Sequence, residues 1–107
     1  MISRGVTATL TAAQSATGTG AAPNDLRLPM DFAGARLAWQ TITTGVTGTP
    51  TFALQGSLDG TNWFTLDTST AIAGELRIVL CQGIMALRFN VTVVGTAGTV
   101  TALVRLQ

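Results

Sequence analysis

Leu87-Arg88-Phe89-Asn90-Val91-Thr92-Val93-Val94-Gly95-Thr96-Ala97-Gly98-Thr99-Val100-Thr101-Ala102-Leu103-Val104-Arg105-Leu106 alternates apolar and polar residues on both sides of a glycine-bounded break. A period of two is the strand period, because successive side chains of an extended chain point to opposite faces. Taking Gly95–Gly98 as a four-residue loop places Val94 opposite Thr99. Val93 then pairs with Val100, Val91 with Ala102, Phe89 with Val104 and Leu87 with Leu106, all on one face. A one-residue slip turns the whole set outward, so the stretch predicts a well-registered antiparallel hairpin. The same register sets Arg88 opposite Arg105 on the outer face, where like charges are mildly unfavourable. Either both are solvated or bridged by Glu75 or Asp67, or the pair meets an acidic partner surface.

The rest of the chain repeats the pattern in shorter runs. Val6, Ala8, Leu10 and Ala12 alternate with threonines; Leu26, Leu28 and Met30 form a second run, and Leu37, Trp39 and Thr41 a third. Phe52 and Leu54, then Phe64 and Leu66, then Leu76, Ile78 and Leu80 mark three more. Gly, Pro, Asn or Asp stand in nearly every gap, and no window carries a helical stripe. About eight short strands predict an all-β fold, an antiparallel β-sandwich of jelly-roll or Ig-like type with no substantial helix. Residues 1–22 read as an N-terminal arm and residues 23–107 as the sandwich domain. The patch at 6–12 is either an ordinary edge strand of its own domain or a strand that adds to a neighbour's sheet edge.

Composition narrows the function. The 107 residues include 19 threonines, 12 glycines and six arginines, with no lysine, histidine or tyrosine; 10% are charged and the formal net charge is +1. That length makes one domain. Scattered arginines do not form the basic cluster that neutralises phosphates, so no nucleic-acid partner is expected. Without histidine the usual general base and the commonest neutral metal ligand are missing. The single Cys81 excludes an internal disulfide or a Cys-rich zinc site. Catalysis, cofactors and bound metal are therefore not expected.

Weaker motifs do not change this. Gly18-Thr19-Gly20-Ala21-Ala22 lacks the lysine and the following helix of a phosphate loop. Asp25, Asp59 and Asp67 lack the clustering of a calcium loop, and Asp59 reads as turn chemistry. Ser57 has no His or Lys to activate it, and the Asn90-Val91-Thr92 sequon lies within a strand. Apolar runs such as Ile78-Val79-Leu80-Cys81 fall far below the roughly 18 residues of a spanning helix. Met1–Gly5 lead into alternating residues with no continuous apolar signal core, so no membrane partner is expected. A surface this poor in charge suits packing against other protein.

The most specific local sequence is Gln55-Gly56-Ser57-Leu58-Asp59-Gly60-Thr61-Asn62-Trp63-Phe64. Asp-Gly between strand-like runs is a strong turn signal. A three-residue loop, Leu58-Asp59-Gly60 with Gly60 left-handed, gathers Phe52, Leu54, Phe64 and Leu66 on one face. Ala53, Gln55, Ser57, Thr61, Trp63 and Thr65 share the other, where Trp63 must be covered by a loop, the arm, another subunit or a satellite cluster.

Residues Leu54 to Leu66 resemble the S-x-D-G-x-x-W hairpin of small virion proteins of tailed bacteriophages, and Leu87 to Leu106 is similar to their closing strand pair. Together the two stretches cover about a third of the chain. Discoidin-like carbohydrate- or lipid-binding domains carry a related hairpin, but often with a disulfide that one cysteine cannot form. The resemblance implies a head decoration (cement) protein on the outer capsid surface, with the major capsid protein and itself as partners, often as a homotrimer. The alternative is a phage tail or fibre accessory domain, or a glycan-binding sandwich with Trp39 or Trp63 stacking on sugar. The residues expected to make assembly contacts are Arg4, Val6, Ala8 and Leu10 on the arm, Trp63 on the hairpin, and Arg88 and Arg105.

Overall fold

The computed structural model describes residues 7–15, 17, 26–27, 36–59, 61–80, 86–93 and 97–106. Eight strands follow one another: β1 (Thr7–Gln14), β2 (Leu26–Arg27), β3 (Arg36–Thr47), β4 (Thr51–Ser57), β5 (Phe64–Ser69), β6 (Leu76–Leu80), β7 (Ala86–Val93) and β8 (Ala97–Leu106). No helix occurs among the described residues. Sheet A has the order β1-β8-β3-β6 and sheet B the order β2-β7-β4-β5, and every pairing is antiparallel. First pairs with last, second with seventh, third with sixth and fourth with fifth, as if one long hairpin had been rolled up. The roll is closed by β3 on β8 and β4 on β7. Of the two sandwich types expected, this is the jelly roll.

Sheet A buries Leu10, Leu37, Trp39, Val100, Ala102 and Val104; sheet B meets them with Phe52, Leu54, Leu87, Phe89 and Val91. Phe89 stacks on Phe52 with centroids 5.9 Å apart, and is tilted against Trp39 at 6.3 Å, so an aromatic row joins the two walls. Offset and tilted ring pairs of this kind add to the burial term.

Leu87, Phe89, Val91, Val100, Ala102 and Val104 face the core as expected, but the expected hairpin does not form. β7 pairs with β4 and β2, β8 with β1 and β3, so the two strands lie in opposite sheets. Phe89 and Val91 share the core with Ala102 and Val104 from the facing wall. Alternation selects a face, and in a sandwich two walls can offer that face to one core. Val93 is exposed rather than buried, and Val94 lies outside the described residues. Gly98, expected in the loop, is inside β8 at φ +94°, where a Cβ would collide with the Gly45 and Val46 backbone.

The β4–β5 pairing forms as expected, with a longer loop: Leu58 to Trp63 separate Ser57 from Phe64. The register shifts between Leu54 and Gln55, with Leu54 opposite Asp67 and Gln55 opposite Thr65. Phe52 and Leu54 are buried and Leu66 packs on the core, whereas Phe64 is 71% exposed. Gly60, expected to be left-handed, lies outside the described residues.

β1 is an edge strand of its own domain. It pairs with β8 from Thr7 to Gln14, the edge-strand alternative expected for this patch, and the arm boundary expected near residue 22 lies outside the described residues. Register shifts between Thr9 and Thr11 and between Thr11 and Gln14 change its facing, and Thr11, expected outward, is fully buried with Leu10. The Thr11 hydroxyl has no hydrogen-bond partner among the described residues. A buried polar atom without a partner carries a desolvation cost that an isosteric apolar group does not. Thr11→Val is therefore expected to stabilise the fold by roughly 1 kcal/mol, read as a higher urea midpoint with an unchanged m-value.

Candidate functional site

Two features organise the rim where β5 and β6 end their sheets. The first is polar. Trp39 is 1% exposed, and its indole Nε1–H donates to Asp67 Oδ2 at 2.9 Å, from sheet A to sheet B. Arg77 Nε donates to the same oxygen at 2.7 Å, and Arg77 Nη1 to Glu75 Oε1 at 3.2 Å. Burial pushes the Asp67 carboxyl up, but the hydrogen bonds from Arg77, Trp39 and the Thr68 N–H together outweigh it and hold the pKa below its ordinary 3.8. Glu75 and Asp67, expected as bridges for Arg88 and Arg105, are thus engaged by Arg77.

The second feature is apolar. With Arg77 taken up at the rim and Val79 packed on the core, Leu76, Ile78 and Leu80 point outward and are 64%, 59% and 72% exposed. These three form one of the runs expected from the sequence, but on the opposite face from the core-lining sets. The register fixes their surroundings: Leu80 lies opposite Arg36, Ile78 opposite Ala38, and Leu76 opposite Gln40. Beyond β3 the rows continue into Arg105 and Leu103 of β8, then Thr7 and Thr9 of β1. A shallow groove across these rows is lined by Thr7, Ala38, Gln40, Leu76, Leu103 and Arg105. Ile42 is exposed opposite Thr101 on the same face. The only charges in these rows are Arg36 and Arg105, and neither is in an ion pair among the described residues.

The outer face of sheet B is built differently. Arg88 Nε donates to Gln55 Oε1 at 2.7 Å, and its guanidinium lies 4.5 Å from the Trp63 ring centroid. This cation–π contact is what covers Trp63, which is half-buried. At the adjoining turn Asp59 accepts from the Thr61 and Asn62 backbone N–H groups, both at 2.8 Å, from Asn62 Nδ2 at 2.7 Å and from Ser57 Oγ at 3.0 Å. These bonds, the Asn62 backbone N–H foremost, hold its carboxyl well below the usual range. Asp59 is turn chemistry, as its sequence context predicts.

The residues expected to make assembly contacts are therefore dispersed. Arg88 and Arg105, expected side by side, sit on the outer faces of different sheets because their strands do. Leu10 is fully buried and Ala8 packs against the core, so both serve the domain itself. Arg4 and Val6 lie outside the described residues, as do Cys81, Asp25 and Gly18–Ala22. Trp63 is tied to Arg88, and Arg105 alone joins the apolar face. The reading by runs missed Leu76, Ile78 and Leu80 as surface residues. The signal for them was Val79, which gives β6 an apolar residue at either parity and leaves Arg77 to choose.

The sign of the Asp67 shift fixes a pH dependence. A carboxylate with a lowered folded-state pKa contributes stability that is fully present above its unfolded value and lost as pH falls through the folded value. Asp67→Asn is expected to cost roughly 1–2 kcal/mol at neutral pH, the scale of hydrogen bonds to a charged group. The gap from wild type should close as pH falls below the ordinary carboxylate range and Asp67 itself protonates. Asp59 is common to both proteins, so urea unfolding of the pair against pH isolates Asp67. No family model, curated protein or solved structure matches this chain.

Proposed function

We propose that this chain is a structural, non-catalytic virion protein: a homo-oligomeric decoration (cement) subunit that packs on the outer surface of a phage capsid against the major capsid protein. The observation that carries the reading is the outer face of sheet A. Antiparallel sheets with one face on the core ordinarily turn a polar face to water. Here the turned-out face presents Leu76, Ile78, Leu80, Leu103 and Ile42 among threonines, with two charges, Arg36 opposite Leu80 and Arg105 between Ala38 and Thr7. A charge-depleted apolar centre with a polar border is the anatomy of a protein–protein contact. The jelly roll is itself a capsid and lectin architecture, so the fold leaves the choice between them to the surface.

Glycan binding is the less favoured role on the same grounds. Trp39 is enclosed in the core and Trp63 lies against Arg88, which removes Trp39 as a sugar platform and occupies Trp63. A decoration subunit acts by mass action: binding the assembled lattice alone shifts the equilibrium towards it, and oligomerisation multiplies weak contacts.

The test is co-sedimentation with particles of the phage whose genome encodes the chain. Leu103→Glu and Arg105→Glu lie on the face but away from the β6 edge. Each is expected to weaken binding by about tenfold or more, the scale of a central contact, with unfolding midpoint and oligomer mass unchanged. Undiminished binding by both variants, or saturable quenching of wild-type Trp fluorescence by glycans, overturns the reading.

A further inference from the structure

The four sheet edges of this sandwich are not equivalent. An edge strand presents unpaired N–H and C=O groups, and proteins blunt it with bulges, short length, lysine or proline. β1 has two register breaks, β2 is two residues long, and β5 has a register break against β4. β6 has no register break, and its one charge, the inward-turned Arg77, is taken up by Asp67 and Glu75. Its five residues run in unbroken register on β3, it contains no Pro, Gly or Lys, and among the described residues nothing pairs with its outer side.

We infer that β6 is a homodimerisation edge, through which two copies of the chain pair antiparallel about a two-fold axis at Ile78. The inference deepens the assembly reading above and rests on it for its biological setting. The partner is a second copy because the strand is complementary to itself. With the axis at Ile78, Leu76 faces the partner's Leu80, Ile78 faces the partner's Ile78, and Leu80 faces the partner's Leu76. On the inner side Arg77 faces the partner's Val79, so the only charge in the strand opposes an aliphatic group. An axis at Arg77 would set two guanidinium groups against each other, which directly opposed positions disfavour. Among the described residues of the strand, any axis other than Ile78 also leaves end residues unpaired.

The outer face agrees with this placement. In register with β3, the joined strands form the rows Arg36–Leu80–Leu76–Gln40, Ala38–Ile78–Ile78–Ala38 and Gln40–Leu76–Leu80–Arg36, where the last two members of each row belong to the partner. Six large aliphatic side chains then lie together at the centre, with the arginines and glutamines at the corners. The two four-stranded A sheets become one continuous sheet. The contact is isologous and closed, since each copy uses its β6 edge once. The resulting assembly is two-fold, where the phage resemblance implies three-fold.

Light scattering on the full chain over a concentration series is expected to reach twice the 11.0 kDa chain mass. Ile78→Lys opposes two ammonium groups at the axis and should return the mass to 11.0 kDa while unfolding stays cooperative, with a midpoint that no longer depends on protein concentration. Register is read by cross-linking in a Cys81→Ser background. Ile78→Cys brings two thiols to directly opposed positions, within the reach of a disulfide, and should give a covalent dimer on mild oxidation. Leu76→Cys sets its thiols about four residues apart along the paired strands and should stay monomeric on a reducing-agent-free gel. A monomeric or trimeric wild type, or cross-linking by Leu76→Cys in preference to Ile78→Cys, overturns the inference. Capsid co-sedimentation by the Leu103 and Arg105 variants is scored separately, so the dimer and the decoration reading can fail independently.

Discussion

The hydrogen bond from the Trp39 indole to Asp67 sets the arrangement of the rim. A buried tryptophan brings a large apolar body and one N–H that needs an acceptor. Trp39 spans the core from β3, and the acceptor is a carboxylate on the edge strand of the other sheet. A carboxylate so placed needs a cation, and Arg77 on β6 supplies it. Once Arg77 turns towards the rim, strand parity leaves no freedom: Val79 goes inward with it, and Leu76, Ile78 and Leu80 go outward. The apolar surface is thus a consequence of satisfying one indole nitrogen.

That chain of dependence shows where sequence reasoning succeeds. Alternation identified Leu37, Trp39 and Thr41, Phe52 and Leu54, and Val100, Ala102 and Val104 as core-facing, and all are buried. Those strands have one apolar parity, so local periodicity decides them. β6 reads Leu-Arg-Ile-Val-Leu, with apolar residues at both parities, and its facing is decided by Asp67, ten residues earlier on a different sheet. Neighbour choice was hidden for a related reason. Phe89 and Val104 belong to one core, but periodicity does not say whether two strands lie side by side or face each other. β1 adds the effect of its register breaks, which put Thr11 where the alternation expects a solvent-facing residue.

The jelly-roll order bears on function through its edges. Rolling one long hairpin leaves β1 and β6 at the ends of sheet A and β2 and β5 at the ends of sheet B. The polar network spans the β5–β6 end and ties sheet A there to sheet B through side chains. Among the described residues no strand pairs with the outer side of β6, which runs in unbroken register on β3.

Threonine explains how such a face can be β-prone without carrying charge. At Thr7, Thr9, Thr99 and Thr101 the branched side chain favours an extended backbone, and its hydroxyl is far less costly to desolvate than a lysine or glutamate. A charged outer face would keep the isolated domain better hydrated but would oppose its burial against another protein. Arg36 and Arg105 are the only charges in these rows, so little charge has to be desolvated when the face is covered. The shortage of charge that suits packing against other protein is thus expressed on this sheet face, whose apolar character is set by the facing of β6.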